Sequence, residues 1–209
     1  MSTSRPQTRI QKKNKAAILE AALSVFSRHG FRGATLDQIA NEAGLSKPNL
    51  LYYFPSKVSM HQTLLSNLLH RWLDPLIAID PEGEPVEEVL AYVLRKLEMA
   101  RLFPRESRLF ANEIVQGAPN FMDQIEGELK VLVDEKAALF TSWMETGSLA
   151  KSDPYHLIFS IWATTQHYAD YDAQVRIILR PQEDTHFADA AIYLETLFRR
   201  MLTPVPGLK

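Results

Sequence analysis

The chain contains no cysteine. That removes disulfide frameworks, thiolate metal sites and thiol nucleophiles together. Glycine is sparse, at 8 of 209 residues, and none of it falls into a phosphate-cradling loop or a dinucleotide fingerprint. No apolar run approaches the length that crosses a bilayer. The first residues, MSTSRPQTRIQKKNK, are charged with no apolar segment behind them, so they do not read as a secretory signal. A soluble, cytoplasmic protein is the expectation, with no membrane partner. Alternating strand patterns and internal repeats are lacking too. His61, His70, His156, His167 and His186 stand in no spacing with a second ligand that signals a metal site. No catalytic residue, metal or cofactor is expected.

What the chain does have is charge sorted by position. Residues 1–60 carry nine Lys or Arg against three acids, a net of +6, and the remainder carries 14 against 22, a net of −8. One end suits a polyanion and the other does not. A chance split of solvated charges is the plainer alternative.

Apolar residues recur at helical spacing almost throughout. Residues 1–11 read as a basic arm. Lys13 to His29 is predicted as a helix through Ala17, Ile18, Ala21, Ala22, Val25 and Phe26, with Gly30 stopping it. Thr35 opens a second helix to Ala43, with Gln38 placed for a capping box. Gly44 turns the chain, Ser46 caps a third helix, and Pro48 is tolerated in its first turn. A fourth helix is expected from Lys57 to about Leu76. Asp80 to Pro85 is a loop. Further helices are expected over Val86–Phe103, Glu106–Gln116, Asn120–Gly147, Pro154–Tyr171 and Asp184–Met201. The fold class is all-α: a three-helix head over residues 1–57, and a larger helical body for ligand binding and dimerisation over 58–209.

Thr35 to Lys57 has the layout of a helix-turn-helix, two short helices about a glycine turn. The recognition helix must open with side chains that reach base edges. Ser46, Lys47, Pro48 and Asn49 occupy that turn, Lys47 suited to guanine or phosphate and Asn49 to adenine. Tyr52, Tyr53 and Thr35 can reach phosphate through their hydroxyls, and Lys57 through its ammonium. Core packing of the tyrosines and a solvated Lys57 are the structural alternatives.

The pattern F-x-x-x-G-F-x-G-A-T-L-x-x-I-A-x-x-A-G-L-S, followed by F-P-S-K, spans Phe26 to Lys57 and resembles the TetR family of bacterial transcriptional regulators. Leu51 departs from it, standing where a tyrosine is usual. Five further segments, Leu50–Lys57, Ser107–Phe110, Gly117–Pro119, Asp134–Lys136 and His156–Asp170, are similar to the branch that regulates pyrimidine utilisation. The resemblance implies a homodimer on a palindromic operator, most often a repressor, released by uracil or thymine. It also implies a ligand site near Trp72, Lys96, Trp162 and Gln166.

The residues themselves agree with that site. Trp162 and Gln166 are one turn apart on a helix. The Gln166 amide matches the adjacent N–H and C=O of a pyrimidinedione, and Trp162 and Trp72 offer flat faces. Lys96 can donate to a carbonyl. Core tryptophans, a backbone-capping glutamine and a solvated lysine are the alternatives. Asp134-Glu135-Lys136 reads as helix-surface charge. The last two helices, rich in Ile158, Phe159, Ile161, Ile192, Leu194, Leu197 and Phe198, are those that pair in this family's dimers. A different small planar effector, a helical enzyme, and an architectural DNA-binding protein are the competing functions.

Overall fold

The structure is a computed structural model describing residues 9–205, all helix, turn and loop, with no strand among them. The arm expected at 1–11 falls mostly outside the described residues. Its last three positions already belong to α1 (Arg9–Gly33). The chain forms two compact units. The first gathers the described residues through Leu68 with Arg108–Phe121, and the second holds Leu69–Ser107 with the described residues from Met122.

In the first unit, α1 is broken at Gly30, which sits at φ 66°, ψ 171°. Side chains with a Cβ avoid that conformation, so glycine ends the helix proper as expected. Ala22, Val25 and Phe26 of α1 are buried with Ile39 and Ala40 of α2 (Leu36–Glu42) and Leu50 of α3 (Lys47–Tyr53). The caps form as the sequence indicates. The Gln38 N–H donates to Thr35 Oγ1 at 3.2 Å, and the Thr35 N–H donates to Gln38 Oε1 at 2.8 Å. Gly44 turns at φ 65°, and Ser46 accepts from the Asn49 N–H at 3.4 Å.

α4 (Lys57–Ile77) carries a buried stripe of Leu64, Leu65, Leu68, Leu69 and Trp72. In the second unit, α5 (Pro85–Leu102) packs against α9 (Pro154–Asp170) and α11 (His186–Leu202). Val89, Val93, Leu97, Ile158, Ile161, Leu194 and Phe198 fill the space between them. Asp153 caps α9 by accepting from the His156 N–H at 3.0 Å, and Pro154 occupies the first turn. α6 (Pro104–Val115) follows α5 after a short break at Phe103.

Three sequence expectations change. The single helix expected over Asn120–Gly147 is a short α7 (Met122–Gln124), a π-helical turn over Ile125–Leu129, and α8 (Lys130–Glu145). Gly127 sits inside the π turn, where weak helix propensity lets the chain take the wider winding. An unforeseen helix, α10 (Asp172–Leu179), lies between the last two expected ones. Val175, Ile178 and Leu179 stand at helical spacing, but only Val175 is buried, and the eight residues are too few to stand out between two longer helices. Arg176 braces it, donating to Asp172 and Asp184 and to the Glu183 carbonyl. Third, Lys136 is not surface charge. It is buried, and its ammonium donates to the Ile77 and Ile79 carbonyls at 3.3 and 3.4 Å, at the C-terminal end of α4.

Candidate DNA interface and effector site

The first turn of α3 presents Ser46, Lys47, Pro48 and Asn49, all exposed. Lys47 donates to Asp37 of α2 at 3.0 Å, an exposed pair that holds the ammonium beside the helix start. Thr35 is exposed, with its hydroxyl engaged in the capping box. The two tyrosines part company. Tyr52 is 72% exposed, whereas the Tyr53 hydroxyl accepts from Asn14 Nδ2 at 2.9 Å and ties α3 to α1. Lys57 is turned inward. Its ammonium donates to the Phe31 and Ala34 carbonyls, both at 2.7 Å, and lies over the Phe31 ring. These carbonyls stand four residues and one residue ahead of the Thr35 cap, so Lys57 fixes the entry to the helix-turn-helix. Sequence reasoning passed over Asn14 and Asp37, whose roles depend on tertiary contacts that no spacing rule encodes.

In the second unit, α5 and α9 face each other through matching rungs. Tyr92 and Lys96 are one turn apart on α5, and Trp162, Gln166 and Asp170 are successive turns on α9. At one rung, Trp162 Nε1–H donates to the Tyr92 hydroxyl at 2.7 Å. At another, Lys96 is attracted to Asp170, which accepts from the Ser107 hydroxyl at 2.6 Å. Gln166 lies between these rungs in sequence, half-buried, and its amide finds no hydrogen-bond partner among the described residues. Lys96 also lies over Trp72 of α4, 5.0 Å from the ring centroid. The Trp72 Nε1–H is buried without a partner.

Of the four residues expected from sequence, Lys96 meets Trp72 directly, Trp162 reaches α5 through Tyr92, and Gln166 is placed only by its position on α9 between Trp162 and Asp170. Tyr92 and Asp170 had a signal available, each standing four residues from an expected site residue. Lys96 is not solvated: it is 3% exposed. Burial drives its pKa down to about 7, with Asp170 opposing. Burial also pushes the Tyr92 phenol well above its ordinary range, so it stays a neutral O–H. The donors gathered on these elements are the Lys96 ammonium, the unpartnered Trp72 N–H and the Gln166 amide. No cluster of metal-ligating side chains occurs among the described residues, and no helix there is long and apolar enough to cross a membrane.

Residues 18–62 match the profile described as bacterial regulatory proteins, tetR family. Residues 65–204 match that of the C-terminal region of YcdC-like proteins. The chain belongs to the TetR family. It is 48% identical over 178 residues to the HTH-type transcriptional regulator RutR of Escherichia coli K12, covering 85% of this chain and 84% of that one. Among solved structures, a TetR-like transcriptional regulator from Rhodococcus sp. RHA1 superposes with a TM-score of 0.67 at 23% identity, over 94% of this chain and 97% of that one. AibR in complex with isovaleryl coenzyme A and operator DNA gives a TM-score of 0.71 at 16% identity, over 92% and 100%. These two likenesses establish the fold. This TetR-family protein is a ligand-responsive DNA-binding transcriptional regulator and not an enzyme.

Proposed function

We propose that this regulator represses genes of pyrimidine utilisation by binding a palindromic operator as a homodimer in the cytoplasm, and that uracil or thymine releases it. What supports the effector is the gathering of Trp72, Lys96, Trp162 and Gln166 in one unit, in a chain 48% identical to RutR. Gln166 would pair with the N–H and C=O of the pyrimidinedione edge, Lys96 would donate to a carbonyl oxygen, and the tryptophans would flank the ring.

At the DNA, Ser46, Lys47, Pro48 and Asn49 would face base edges, and Thr35 and Tyr52 the phosphates. Tyr53 and Lys57 would hold the recognition helix and its entry in place. Residues 1–57 would then form the DNA-binding domain and 58–209 the effector-binding and dimerisation domain. Two copies paired through the last helices would set recognition helices about one DNA turn apart, matching a palindrome.

Release would be a ligand-biased equilibrium between two body shapes. α4 carries Lys57 in its first turn and Trp72 near its end, so a shape that closes on the ring alters what Lys57 holds. The ligand acts only through unequal affinity for the two shapes. The test is operator affinity with and without uracil, using a duplex that the protein selects from a randomised library. Equal affinity at saturating uracil removes the effector. Calorimetry against a panel of planar heterocycles, with Gln166→Ala as control, then identifies any other.

A further inference from the structure

The first unit buries two ionisable side chains with no part in reading DNA. His61 of α4 and Glu113 of α6 each have side chains only 2% exposed, and His61 Nδ1 lies 3.8 Å from Glu113 Oε2. That is too long for a hydrogen bond, and Nδ1 has no other partner. The surroundings come from every side. From α1, Phe26 meets the imidazole edge-on at 5.0 Å and Phe31 lies tilted at 4.7 Å. From α4, Lys57 stands one turn earlier. From the segment after α6, the Asn120 N–H donates to Glu113 Oε1 at 2.6 Å and its side-chain amide reaches Oε2 at 3.4 Å. Lys57 and Glu113 are the charged groups that act on the ring.

The two charge states of His61 call for different geometries. Neutral, the ring sits against two phenylalanines with a gap to the carboxylate. Protonated, Nδ1–H becomes a charge-assisted donor that closes the gap by roughly 1 Å. Burial works against the cation, holding the His61 pKa below its ordinary value, with Glu113 opposing and Lys57 adding to the effect. The imidazolium also repels the Lys57 ammonium, which caps the Phe31 and Ala34 carbonyls. Phe31 thus touches the imidazole with its ring while its carbonyl is held by Lys57, four residues ahead of the Thr35 cap.

We propose that His61 and Glu113 are a positioning pair for operator binding: neutral His61 keeps the entry to the helix-turn-helix under the grip of Lys57, and protonation draws the ring onto Glu113 and loosens that grip. The pair acts through Lys57 and α2 and touches no DNA.

The test uses full-length protein and its selected duplex, with binding followed by fluorescence anisotropy from pH 8 to 5.5 at constant ionic strength. The parent is expected to lose at least about threefold more affinity across this range than His61→Gln, as one linked proton allows. Glu113→Gln removes the group that favours the imidazolium and is expected to shift the midpoint to lower pH. Coincident profiles for the parent and His61→Gln, or an unmoved midpoint in Glu113→Gln, overturn the proposal. A measurement on the parent alone covers variants that fail to fold. The His61 imidazole is titrated by NMR free and on DNA. Linkage requires the duplex to lower its midpoint, against the upward pull of the phosphates, and a midpoint that rises or stays put overturns the pairing.

Discussion

Lys47 and Lys57 flank the same recognition helix, but their surroundings set them different tasks. The Lys47–Asp37 pair is exposed at both ends, so breaking it costs about 0–1 kcal/mol and leaves the ammonium available to a phosphate or a guanine. Lys57 is committed to two carbonyls. Lys47→Ala is expected to weaken operator binding and to flatten the salt dependence of log K by about one unit of slope for each half-site bound. Lys57→Met is expected to lower the urea midpoint of unfolding instead. An unchanged salt slope for Lys47→Ala denies it a phosphate contact. Asn49→Ala should cost about 1–3 kcal/mol and relax the preference at one base position, read by repeating the selection with the variant. Lys96 supplies a pH signature. Its amine releases its proton at about 7 in the folded chain, and a lysine in the unfolded chain holds on to near 10.4. Between those values the unfolded state binds more protons, so stability rises with pH across the window, and the advantage is lost as pH falls back towards 7. Lys96→Met should abolish that rise in a series of denaturant titrations from pH 7 to 9. Parallel curves for parent and variant would show that the amine is solvated in the fold.

The helices were legible wherever an apolar stripe or a cap announced them. Thr35, Gln38 and Ser46 cap as their residue types dictate, and Gly30 and Gly44 turn at positive φ. What escaped was structure carried by something other than local pattern. α10 stands on Arg176 and its carboxylates, with one buried apolar residue to mark it. The π turn changes winding around Gly127, one weak helix former inside a run that otherwise reads as helical. Lys136 looks like any surface lysine in sequence, because its targets lie 59 and 57 residues away. Among the candidate effector residues, four-residue spacing pairs Trp162 with Gln166 on α9 and would also have marked Tyr92 beside Lys96 and Asp170 after Gln166, whereas Ser107 on α6 carries no such signal. Lys136 closes off carbonyls that helix geometry leaves unsatisfied. Lys136→Met keeps the stem and removes the donor, and is expected to cost about 1–3 kcal/mol of unfolding free energy in urea. A loss below half of that would mean water serves these carbonyls equally well.

At the scale of the whole molecule, the apolar residues of the last helices divide into two sets. Ile158, Ile161, Leu194 and Phe198 are buried within their own unit, whereas Phe159, Ile192, Tyr193, Leu197 and Met201 remain exposed. The second set suits a partner of the same kind, with Tyr155 of α9 adding to it. Replacing Ile192 by Glu is expected to shift sedimentation from dimer to monomer and to abolish tight operator binding while leaving the helical circular dichroism intact. A variant that stays dimeric locates the interface elsewhere.

If these bare side chains pair two copies, each of which brings one DNA-reading turn, assembly and operator binding become one event. Below the concentration at which copies find each other, occupancy of a two-sided target falls with the square of protein abundance. Where occupancy is still far from saturation, a cell that halves its stock would therefore lose about three-quarters of that occupancy before any effector arrives.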